Sequence, residues 1–163
     1  MSELQFQRAL HDSVQEVLEK MFFVEPLDEP PGETESQDGD MAVELSFEGA
    51  PSGALTLRVS SAAARQIAAD FLGQEESGLS SAQVGEVVCE LANMICGSVL
   101  SRSESTTTFR LAAPRLLLSE EGRISQEAAD RRAIHAVAIG SGTLSATLET
   151  RDPVWPQAEE SAF

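Results

Sequence analysis

The chain of 163 residues has no tyrosine, one tryptophan, two cysteines and two histidines, and its 11 lysines and arginines face 27 aspartates and glutamates. Seven phenylalanines make up nearly all of its aromatic content, so a core has to be built mainly from Ala, Val, Leu and Ile. The formal charge of −16 repels phosphate backbones and anionic membrane surfaces, and no cluster of basic residues offsets it locally. Nucleic acid and membrane are therefore excluded as partners. Cys89 and Cys96 fall on one helical segment, about 10 Å apart along its axis, beyond disulfide reach. Both read as small apolar packing residues in a reducing compartment. With His11 and His135 as the remaining soft ligands, no zinc spacing and no Cys/His catalytic arrangement arises, and no metal of the chain's own is expected. No run of about 18 apolar residues is seen, and the amphipathic opening MSELQFQRALHD is not a basic region followed by an apolar one. A cytoplasmic protein is expected.

What is present is globular: 42% hydrophobic and 23% charged residues, enough for one domain over 1–150 and a flexible tail over 151–163. Ser2 with Gln5 forms a capping box for a first helix running to about Lys20. The segment from Glu25 to Asp40, rich in proline and acid, reads as a loop. Met41, Val43, Leu45 and Phe47 alternate with polar or small residues, and after GAPSG a second alternating run follows through Leu55, Leu57 and Val59, which makes a hairpin. Ser60 or Ser61 caps a short helix closed at Gly73, and Ser80 with Gln83 caps a longer one. Beyond the Ser/Thr-rich loop at 101–108 come Phe109 and Leu111, Leu116 to Leu118 after Pro114, then AIHAVAIG, a GSG turn and TLSATLE, a second hairpin whose edge near Glu149 is free for strand pairing. His135 lies among apolar residues and reads as a structural, hydrogen-bonded histidine; Trp155 anchors the tail. The fold class is α+β, a two-layer sandwich of helices packed on one antiparallel sheet.

The long helix, SSAQVGEVVCELANMICGSVLS, carries two opposed stripes. At about 100° per residue, Val84, Val88, Leu91, Ile95 and Val99 form an apolar face with Val87 at its edge. Opposite them Gln83, Glu86, Glu90, Asn93 and Gly97 recur at i, i+3, i+4 and i+7 spacing. An interior Asn costs ~0.7 kcal/mol and an interior Gly ~1 kcal/mol relative to Ala, so stability alone does not select this face. A carboxylate with a carboxamide one turn on, beside a glycine, suits docking onto a partner and positioning a small polar species.

Glu90-Leu-Ala-Asn93-Met-Ile-Cys-Gly97 resembles the Glu-x-x-Asn helix of the CheC/CheX/FliY group of chemotaxis phosphatases, and of CheX-like domains in particular, over roughly Leu4 to Glu149. The group's motif is Asp or Ser, Glu four residues on, Asn three beyond, and a downstream proline. Glu90 and Asn93 match, Glu86 stands where Asp or Ser is usual, and Pro114 follows at slightly less than the usual interval. Asp12, Glu16 and Glu19 repeat the spacing on the first helix, with a carboxylate in place of the amide. A carboxylate does not offer a water both donor and acceptor at neutral pH, so this copy reads as inactive.

The resemblance implies a phosphatase acting on the aspartyl phosphate of a CheY-like receiver domain, which supplies its own Mg²⁺, phosphoryl group and lysine. On this reading Asn93 orients the attacking water, Glu90 pairs with the receiver's lysine, and Gln83, Glu86 and Gly97 shape the contact. It also implies a homodimer built by strand pairing. The alternative on the same fold is a non-catalytic adapter docking onto a receiver or a flagellar-switch component. A free-standing small-molecule hydrolase is disfavoured, because no nucleophile–base pair, metal spacing or phosphate-cradling glycine loop is present.

Overall fold

Alternating side chains over 41–47 and 55–59 form β2 (Met41–Glu48) and β3 (Gly53–Val59), a hairpin in register from Met41 opposite Val59 to Phe47 opposite Gly53. Val43, Leu45, Phe47, Leu55, Leu57 and Val59 all point to one buried face, as a period of two requires. The computed structural model describes residues 3–28, 40–49, 51–102, 108–117 and 129–151. The capping box at Ser2, most of the acidic loop and the tail with Trp155 lie outside these residues.

Around that hairpin runs an antiparallel sheet in the order β1 (Leu27–Asp28), β6 (Arg131–Ile139), β7 (Gly142–Thr150), β3, β2, with β4 (Arg110–Leu111) and β5 (Arg115–Leu117) both paired to the far side of β2. Three helices cover its apolar face. Helix α1 (Glu3–Met21) lies over β6, α2 (Ser61–Leu72) over β7, and α3 (Ser81–Ser101) over β2 and β3. Ser60 caps α2 by accepting from Ala63 N, and Gly73 closes it in the left-handed region at φ 68°, where a side chain is strained. At the exit of α1, Phe23 adopts φ 58° while Phe22 enters the core and stacks on Phe71 with ring centroids 4.5 Å apart.

The layers expected from sequence are present, with three differences. Leu27 and Asp28, inside the segment read as loop, pair with Ala138 and Val137 and add an edge strand. The second hairpin does not offer β7 as an edge: β7 sits between β3 and β6, and the outward edge belongs to β6, where Gln7 Nε2 donates to the Ile134 carbonyl at 2.6 Å. Finally, among the described residues α3 is long and apolar enough by length and mean composition to cross a bilayer, a property not anticipated from the sequence, although Gln83, Glu86, Glu90 and Asn93 interrupt it as an apolar run. Its apolar face is instead spent on the sheet.

Candidate functional site

The start of α3 decides what faces outward. Ser80 Oγ accepts from Gln83 N at 3.1 Å and Gln83 Oε1 accepts from Ser80 N at 2.9 Å, a complete capping box. Val84, Val88, Leu91, Ile95 and Val99 are buried to 1% exposure or less, and burying such aliphatics is worth roughly 1.5–3 kcal/mol each. Rotating the helix to hide its polar stripe would forfeit most of that. Glu86, Glu90 and Asn93 are consequently exposed, and Gln83 and Gly97 are half-buried on the same side. All five expected site residues share one face, though the Gln83 oxygen is already committed to the cap.

Among the described residues, Glu86, Glu90 and Asn93 make no side-chain hydrogen bond or ion pair within the chain. A Cβ added at Gly97 meets no atom within 4 Å, so nothing inside the protein demands glycine there. The arrangement presents two carboxylates and an amide to an incoming surface, with a low point beside them.

The related triplet on α1 is differently placed. Glu16 accepts from Arg102 at 2.5 Å through one oxygen and pairs with Lys20 Nζ at 3.3 Å through the other, while Asp12 pairs with His11 at 3.1 Å. Arg102 Nε also donates to Ser13 Oγ at 3.0 Å, and Ser98 Oγ lies 3.1 Å from the same buried hydroxyl. Glu16 thus braces α1 against the C-terminal end of α3, while Glu19 is exposed and makes no side-chain bond among the described residues.

Neither thiol is primed for chemistry. Burial pushes the Cys96 thiol up to about 12, and burial together with the nearby Glu86 charge raises that of Cys89. His135 is buried on the helix-facing side of β6, its ring edge-on to His11 with centroids 4.5 Å apart, away from the α3 stripe. Pro114 lies half-buried between β4 and β5. Close by in the chain is a neighbour of the site that no sequence pattern marked: Leu116, 48% exposed, whose Cδ2 would lie 3.6 Å from a Cβ on Gly85. Leu116 and Leu117 are indistinguishable in sequence, and only the three-dimensional edge separates the exposed one from the buried one.

Residues 41–137 match the family model described as chemotaxis phosphatase CheX. In fold, the chain is similar to the Borrelia burgdorferi protein in a CheX-CheY-BeF3-Mg²⁺ complex, with TM-score 0.70 and 18% identity over 90% of this chain and 98% of that one. It is equally similar to chemotaxis protein CheX from Vibrio vulnificus (TM-score 0.70, 20% identity, 92% and 99% covered) and to a CheC-like superfamily protein from Shewanella sp. PV-4 (0.70, 21%, 92% and 99%). No curated protein matches the chain. Since the matched segment runs from the first residue of β2 into β6 and takes in the whole of α3, the chain belongs to the CheX family of chemotaxis phosphatases.

Proposed function

We propose that this protein, acting in the cytoplasm, hydrolyses the aspartyl phosphate of a CheY-like receiver domain. The observation that carries the reading is the placement of Glu90 and Asn93, exposed and without partners among the described residues on a helix fixed by its core, whereas Glu16 of the related α1 stripe is bound by Arg102 and Lys20 of its own chain. Asn93 enters the receiver pocket, its amide donating to and accepting from the attacking water so that the water lies in line with the breaking phosphorus–oxygen bond. Glu90 pairs with a receiver lysine and sets the register of the helix. Glu86 and Gln83 flank the contact, and Gly97 gives it clearance.

Charge neutralisation at the phosphoryl group is assigned to Mg²⁺ arriving with the receiver. The presence of both BeF3 and Mg²⁺ in the Borrelia burgdorferi CheX-CheY complex supports that assignment. The described residues of this chain contain no group of three His, Cys, Asp or Glu side chains placed to hold a metal.

The test is direct. Candidate receivers are phosphorylated with a small phosphodonor and the decay is timed with and without the protein. Stimulated decay that is lost in Asn93→Ala is the expected result. An adapter would bind the receiver and leave the decay rate alone, and an Asn93→Ala protein working at the wild-type rate removes the water-positioning mechanism.

A further inference from the structure

We infer that Leu116 is an apolar docking contact for the same receiver, so that the partner straddles α3 and the short edge strand β5; this rests on the function proposed above. Leu116 stands opposite Val43 in register and so projects to the helix side of the sheet. Val43 is fully buried there, but Leu116 lies at the margin, 48% exposed and against α3 at Gly85.

From Gly85 an i, i+4 row leads along α3 through Cys89 and Asn93 to Gly97. Leu116 thus begins an apolar shoulder, continued by half-buried Cys89, that ends at the catalytic amide. By helical rise, Gly85 and Asn93 are about 12 Å apart. A protein interface of ordinary size covers about 800 Å² per partner, a disc with a radius of roughly 16 Å. A receiver centred on Asn93 therefore covers Leu116 as well. Charge points the same way, since Glu86 and Glu90 lack cations among the described residues and the receiver lysine proposed above is drawn to the face that Leu116 borders. A second copy of this chain fits the position poorly, since Leu116 points toward the helix layer rather than along the strand edge where sheets pair.

The experiment compares wild type, Leu116→Ala and Leu116→Asp against a panel of phosphorylated CheY-like receivers, measuring KM, kcat and, by sedimentation, the mass of the protein alone. Leu116→Ala is expected to raise KM about fivefold to tenfold and Leu116→Asp to raise it further, with kcat within about twofold and mass unchanged. Unchanged KM in both variants overturns the inference while leaving the phosphatase reading intact. So does a fall in mass with KM unaltered, which assigns Leu116 to a contact between copies. If wild type neither binds nor dephosphorylates any receiver, the phosphatase reading fails and the docking contact fails with it.

Discussion

Adding one methyl group at Gly97 separates what the fold requires from what a partner requires. The position is inside α3, and a Cβ placed there has no atom within 4 Å, so Gly97→Ala introduces no internal clash. Alanine is favoured over glycine in a helix interior by about 0.8–1 kcal/mol, which in a domain of this size raises the melting temperature by roughly 2–4 °C. The same methyl occupies the space into which the receiver's surface is proposed to settle. Overpacking a well-fitted contact by one methyl costs about 1–3 kcal/mol, or roughly 5- to 150-fold in affinity. The variant is therefore expected to melt higher and to dephosphorylate its receiver with a raised KM. Calorimetry and a phosphate-release assay on one preparation measure both. A variant that is stabilised but keeps its wild-type KM refutes the clearance role of Gly97, and one that melts lower refutes the reading of open space.

Asn93→Ala should lower the rate by about 10²–10³, or about 3–4 kcal/mol of barrier, with little change in melting because the side chain is exposed; Glu90→Gln should raise KM as well as lower the rate. With burial holding its thiol at about 12, Cys96 should resist alkylation near pH 8 in the native protein and react on addition of denaturant. Burial also raises the Glu44 carboxyl above its ordinary range, with Arg115 pulling it back. The fold thus favours protonated Glu44, and the stability this contributes is complete below the unfolded pKa and lost as pH rises through the folded one. Glu44→Gln should accordingly raise the melting temperature near pH 7 and change it little near pH 3; an equal gain at both pH values would rule out ionisation as the cause.

Local signals announced much of this molecule. The two alternating runs formed their hairpin, Ser60 and Ser80 capped the helices they precede, and the opposed stripes of α3 sorted into buried and exposed. These features rest on neighbours along the chain. What escaped depends on distant partners: Leu27 and Asp28 become a strand because β6 has an open edge, and two residues are too short for any periodicity. Spacing placed Glu16 beside Asp12 and Glu19, but only the crossing of α1 with α3 delivers Arg102 to it. In sequence Leu116 to Leu118 read alike as a strand, and only the position at the sheet's margin leaves Leu116 half in solvent while Leu117 is buried.

The dense aliphatic seam beneath α3 has a thermodynamic consequence for association. Because backbone and helix orientation are settled when the chain folds, binding in the proposed mode need immobilise little beyond the rotamers of Glu90 and Asn93, about 0.5–1.5 kcal/mol for each. A recognition element so pre-organised suits brief encounters, in which a signalling partner is captured, discharged and released without the helix having to form or melt.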